Sequence, residues 1–141
     1  MRKLFLYLLI TSLIVSCTKK EAIDLKQLEG YWEIEKVILP DGNSKEYTIS
    51  QSIDYILLKN DSSGYRKKLQ PKLDGSFYTS DDAEEFTIHS DNKKQALHYK
   101  NSLSEWKEVI LKLNKEELVI INENNLKYFY KRFEKLNLES K

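Results

Sequence analysis

From Gly30 onward, apolar side chains recur at every second position in short runs, and polar clusters punctuate them. A period of two places one face of an extended strand against a core and the other in water. The pattern predicts strands over residues 31–39, 53–60, 65–71, 75–78, 85–90, 95–101, 105–114, 117–122 and 127–134. Turn chemistry fills the gaps: Pro40-Asp41-Gly42-Asn43, Asp61-Ser62-Ser63-Gly64, Asp74-Gly75, Ser90-Asp91-Asn92-Lys93 and Asn122-Glu123-Asn124-Asn125. Before the strands, Leu25 and Leu28 fall three apart and predict one short helical turn. No long helical period interrupts the strands, so the pattern predicts an all-β meander. Closing it into a single up-and-down antiparallel β-barrel of about eight strands would remove the exposed edges. The domain is expected to span residues 25–141.

The N-terminal pattern is different. Arg2 and Lys3 precede an uncharged, mostly apolar run over residues 4–15, too short for the roughly 20 residues that a spanning helix requires. This is the layout of a signal peptide, expected over residues 1–16. Ile14-Val15-Ser16-Cys17, which holds the single cysteine of the chain, resembles the lipobox of bacterial lipoproteins. That resemblance implies a diacylglyceryl thioether on Cys17, cleavage before it, and usually acylation of the new amine, with palmitate as the label to follow. Each buried CH₂ contributes about 0.8 kcal/mol, so two or three chains hold a small domain where one does not. Residues 17–24 then form the lipidated cysteine and its tether. Thr18, rather than Asp, follows the cysteine; resemblance to Gram-negative lipoproteins implies a cell-envelope location, the outer membrane more than the inner, with the domain outside the cytoplasm.

Composition narrows the function classes. The 23 Lys and Arg balance 22 Asp and Glu and are interspersed along the chain, which argues against a nucleic-acid surface. Nine Tyr and two Trp against four Gly and two Pro suit a folded, strand-rich domain. None of H-E-x-x-H, G-x-S-x-G, a P-loop or C-x-x-C occurs, so neither an enzyme nor a cofactor is expected. His89 and His98 would share one strand face with Thr87 and Lys100, opposite Phe86, Ile88, Leu97 and Tyr99; they read as surface histidines rather than metal ligands. Asp81 to Glu85 reads as a solvated acidic loop, and Arg66-Lys67-Lys68 as a strand with exposed charge.

Gly30-Tyr31-Trp32 resembles the G-x-W element of lipocalins, placed where the first strand follows a short helical turn. Arg132 lies on the last strand, where lipocalins carry an arginine packed over that tryptophan. The smaller lipocalin-like lipoproteins of Gram-negative bacteria show a similar arrangement, here Leu28, Gly30 and Trp32, then Leu118-Val119-Ile120, then Tyr128, Tyr130 and Arg132. An up-and-down barrel pairs its first and last strands, so Trp32 and Arg132 can meet, with a cation–π contact of roughly 0.5–2 kcal/mol. The resemblance implies a monomeric, non-catalytic carrier of a small apolar or amphipathic molecule. Its lining is expected from Ile34, Ile38, Val109, Leu111, Leu113, Tyr128 and Tyr130, with Trp32 at the base. A carrier needs a cavity of roughly 300 Å³ or more. A packed interior between the first and last strands would instead favour a solid barrel that engages an envelope protein.

Overall fold

The computed structural model describes residues 23–134, apart from 49, 92 and 93. Cys17, its lipobox and the expected signal peptide lie outside the described residues. A 3-10 turn at Leu25–Leu28 leads into strands β1 (Gly30–Ile38), β2 (Ser44–Glu46), β3 (Ile53–Asn60), β4 (Ser63–Pro71) and β5 (Phe77–Thr79). These are followed by β6 (Glu84–Asp91), β7 (Lys94–Lys100), β8 (Glu105–Leu113), β9 (Glu117–Asn122) and β10 (Lys127–Arg132). Eight of them, β1, β3, β4 and β6 to β10, form an antiparallel sheet that β10 closes onto β1; β2 and β5 are short additions to β1 and β4. The fold is an eight-stranded closed antiparallel barrel. Only β2 departs from the expected strand set: its Ser-Lys-Glu is wholly exposed and carries no apolar position that could reveal it.

Barrel closure follows from register. Trp32 stands opposite Arg132 and Ile34 opposite Tyr130. A bulge between Ile34 and Lys36 then shifts the parity of β1, because one extra residue moves all later side chains to the other face. Val37 accordingly faces inward opposite Tyr128, and Ile38 turns outward opposite Lys127.

Strand β8 behaves the same way. Trp106, Glu108 and Ile110 point inward, Trp106 stacking on Tyr99 at 4.9 Å. Val109 therefore faces outward between Ala96 and Ile121, and Leu111 is 39% exposed. A second bulge between Ile110 and Lys112 returns Leu113 to the interior. The expected lining is corrected accordingly. Ile34, Leu113, Tyr128 and Tyr130 belong to the interior; Ile38, Val109 and Leu111 do not.

The core is continuous from Leu28 and Trp32 through Ile56, Phe86, Leu97 and Ile110 to Tyr130. Each such side chain contributes about 1.5–3 kcal/mol on burial. Between the first and last strands this interior is filled by side chains.

Candidate ligand-binding site

The two ends of the barrel are built differently. At one end the 3-10 turn is a lid. Asp24 caps it, its Oδ1 accepting from the Lys26 amide at 3.1 Å, and Leu28 is fully buried beneath it. Trp32 Nε1 donates to the Leu28 carbonyl at 2.8 Å. Arg132 locks the arrangement. Its guanidinium carbon lies 3.7 Å from the centroid of the Trp32 ring, while Nη1, Nη2 and Nε donate to the carbonyls of Glu29, Gln27 and Lys115 at 2.7, 2.8 and 2.9 Å. Gly30 has φ of +117°, and a Cβ there would stand 2.8 Å from Arg132 Nη1. The G-x-W glycine is therefore required twice, for its backbone angle and for the space the arginine occupies.

At the opposite end the inward face becomes polar. Arg66 of β4 reaches across the lumen to Glu108 of β8, with Nη1 to Oε2 at 3.0 Å and Nη2 to Oε1 at 3.4 Å. Strands β6 and β7 lie between those two, so this ion pair bridges the barrel rather than bordering it. Arg66 also donates from Nε to Glu84 at 3.2 Å and lies 4.8 Å over the Tyr99 ring. Burial works against the Arg66 charge, but Tyr99, Glu108 and Asp54 around it outweigh that and hold its pKa well above the ordinary value. Burial likewise pushes the Tyr99 and Tyr130 hydroxyls well above the usual tyrosine range.

Asp54 is the outlier of this group. It sits on the inward face of β3, opposite both Trp32 and Lys68, and is 2% exposed. Lys68 Nζ pairs with its Oδ1 at 2.5 Å from the rim, and the Tyr130 hydroxyl stands beside the carboxylate inside the barrel. A buried carboxylate without compensating hydrogen bonds costs several kcal/mol. The Lys68 ammonium is that compensating partner for Asp54.

Two clefts open at this end. One, of about 480 Å³, is lined by Ser52, Lys68, Gln70, Tyr78, Thr79 and Ser80, and the Gln70–Tyr78 pairing puts it on the sheet face that Asp54 and Lys68 share. The other, of about 510 Å³, runs from the Asp82–Glu85 region to Leu103 and Trp106 and includes the Glu84 that holds Arg66.

Asp54, Arg66, Glu108 and Tyr99 escape a reading in which polar residues point outward. Arg66, expected to be exposed with Lys67 and Lys68, is 9% exposed. The signal that could have found them is a charge at core parity: Asp54 in step with Ile56 and Leu58, Glu108 between Trp106 and Ile110. His89 and His98 share the outer face of β6 and β7 with ring centroids 4.3 Å apart, and His89 Nε2 is bonded to Thr87 Oγ1 at 2.9 Å. Burial, then the neighbouring His89 and Lys107, lowers the His98 pKa. Among the described residues no group of three or more His, Cys, Asp or Glu is placed to hold a metal ion.

A lipocalin-like domain model matches residues 28–120. Among solved structures, a lipocalin-like protein from Bacteroides uniformis ATCC 8492 aligns with a TM-score of 0.48 and 12% identity, over 76% of this chain and 99% of that one. Comparison with curated proteins yields no match. Members of the lipocalin-like family are typically non-catalytic binding proteins. With two thirds of its length matched, including the G-x-W strand, the chain belongs to the lipocalin-like domain family.

Proposed function

We propose that this chain is a lipid-anchored envelope protein whose barrel binds a small amphipathic molecule at its polar mouth, without catalysis. The observation that carries the binding role is the polar mouth: Lys68, paired to the buried Asp54, and Glu84, paired to the buried Arg66, line clefts of about 480 and 510 Å³ respectively. The opposite end is sealed by the 3-10 turn, Trp32 and Arg132, so a ligand enters from the mouth. The filled core excludes a long apolar ligand along the barrel axis and leaves the mouth for a compact one. Anchoring rests on the lipobox alone, with Cys17 as the lipidated residue and a monomer held close to an outer-membrane leaflet.

Native mass spectrometry of protein purified from its own host tests the binding role. A co-purified small molecule released on denaturation is the expected result, and a ligand-free barrel that retains a protein partner refutes it. That second outcome is the solid-barrel reading, which the filled interior between the first and last strands favours, and a second observation supports it. Phe133, Phe77, Tyr31, Tyr55 and Tyr65 form a half-buried aromatic row on the outer wall, with successive centroids 4.9–6.4 Å apart. Such a row is the material of a protein interface.

A further inference from the structure

We propose that His89 and His98, on the outer wall of the barrel, form a two-imidazole binding site for a first-row divalent transition-metal ion, copper(II) foremost. The site lies apart from the mouth and does not depend on the carrier reading. Both protein ligands come from neighbouring strands, and water completes the coordination.

The geometry comes from the register of β6 and β7. Thr87 stands opposite His98 and His89 opposite Ala96, so the two histidines are diagonal neighbours on one face. Their ring centroids are 4.3 Å apart, with planes inclined by 41°. Two cis imidazoles, each with its nitrogen about 2.0–2.1 Å from a shared ion, hold their centroids roughly 4.5–5 Å apart. The folded pair is already within about 1 Å of that separation, and rotation of the exposed His89 ring supplies the rest. Both rings border a cavity of about 430 Å³, which leaves room for water ligands.

Thr87 supplies the tie that a ligating imidazole needs. Its Oγ1 lies 2.9 Å from His89 Nε2. With the proton on Nε2, the ring donates to Thr87 and keeps the Nδ1 lone pair for an ion. A metal-bound histidine gives the proton of its other nitrogen to such an oxygen, which fixes tautomer and orientation together.

The surrounding charge decides which ion. Burial, then His89 and Lys107, lowers the His98 pKa, so at neutral pH that ring is uncharged and carries a lone pair. Lys107 stands directly opposite His98 on β8, while Glu105 and Glu123 act on the ring in the other sense. Lys100 is paired with Glu105 at 3.2 Å and Lys59 with Glu85 at 2.5 Å, so these four charges cancel. Lys107 and Glu123 remain, and the field around the rings is close to neutral. Such a face offers little to hard cations, which need several oxygen ligands. Selection then falls to imidazole affinity, which peaks at copper(II), and copper(II) also takes tetragonal sites made of nitrogen and oxygen ligands.

The test titrates copper(II), nickel(II), zinc(II) and magnesium(II) calorimetrically into the full chain, free of any histidine tag, in detergent micelles. A variant carrying both His89→Ala and His98→Ala gives the background from all other donors, Cys17 and the terminal amine included. Above it, the expected result is one saturable copper(II) site, at least about tenfold tighter than for nickel(II) or zinc(II), and no response to magnesium(II). Electron paramagnetic resonance of the copper form should show coupling to two imidazole nitrogens. His89→Ala and His98→Ala should each weaken copper(II) at least about tenfold, and Thr87→Val by roughly tenfold. Lys107→Gln should tighten it. Lowering the pH from about 7.5 to about 5.5 should release the ion as protons compete for the rings. Copper(II) binding no stronger than the background, a spectrum with one imidazole or none, or single variants that keep full affinity overturns the proposal. Zinc(II) or nickel(II) bound as tightly as copper(II) overturns the choice of ion. Should a histidine variant prove unfolded by circular dichroism, the spectrum of the unaltered protein decides.

Discussion

Replacing Arg132 by Ala removes the clasp at the sealed end of the barrel in a single step. Three hydrogen bonds to the carbonyls of Glu29, Gln27 and Lys115 are lost, together with a guanidinium stacked 3.7 Å from the Trp32 centroid. Buried charge-assisted bonds are worth roughly 1.5–3 kcal/mol each, but these carbonyls keep partial access to water, which reduces each to under about 1 kcal/mol. The stack adds about 1 kcal/mol. The sum predicts a loss of about 3 kcal/mol, or about 12 °C in Tm at about 4 °C per kcal/mol for a domain of this size. Urea unfolding followed by Trp fluorescence measures it, and Arg132→Lys should recover less than half, because an ammonium cannot span three carbonyls and an indole face. In a double-mutant cycle with Trp32→Phe the two substitutions should couple by 0.5 kcal/mol or more. Strict additivity, or a loss under about 1 kcal/mol, refutes the clasp.

Other consequences follow from the same geometry. Gly30→Ala forces a side chain onto φ of +117° and into the position held by Arg132 Nη1, and should cost about 2 kcal/mol in the same urea assay. Glu108→Ala leaves Arg66 buried without its cross-barrel partner and should cost about 3–5 kcal/mol, whereas Arg66→Met with Glu108→Leu should be far milder by thermal melting. Burial holds the Tyr99 and Tyr130 hydroxyls well above the ordinary tyrosine value of about 10, so an unfolded chain loses these protons first as pH rises. These two groups should lower stability only above about pH 10, with absorbance at 295 nm showing two tyrosines that ionise late. Cys17→Ser should abolish palmitate labelling of the chain, and normal labelling of that variant would eliminate the anchor.

The barrel was legible because its evidence is local. Alternation in residues 127–134, the tight turns at Asp74-Gly75 and Asn122-Asn125, and the Gly30-Tyr31-Trp32 start can each be read within a few residues. Pairing of His89 with Ala96 and Ser90 with Gln95 follows from the length of one turn, and the observed register agrees. The faces of β1 and β8 were not legible, because bulges at 34–36 and 110–112 carry no residue signature here. In β8 the three apolar residues Val109, Leu111 and Leu113 keep perfect period two and still occupy both sides of the sheet. A single inserted residue overrides the pattern.

The same bulge hid the candidate site. Reading Val109, Leu111 and Leu113 as one inner face necessarily places Glu108 outside, and without Glu108 inside there is no reason to bury Arg66. Once β8 is placed correctly, the steps follow in order. Glu108 at core parity needs a cation, and the β4 residue on the inner face beyond Gly64 is Arg66. That pairing consumes the interior guanidinium, so Asp54, on the same inner face one strand away, takes its counter-charge from Lys68 at the rim. A barrel meant only to be solid could replace these charges with Leu or Met at little loss, and often at a gain. Removal of Asp54 charge therefore separates two roles. If Asp54→Leu raises Tm and the chain still retains its small molecule, the polar mouth is incidental to binding. If the same change stabilises the fold and abolishes retention, Asp54 is kept for the ligand at the expense of stability, and that is the outcome the carrier reading predicts.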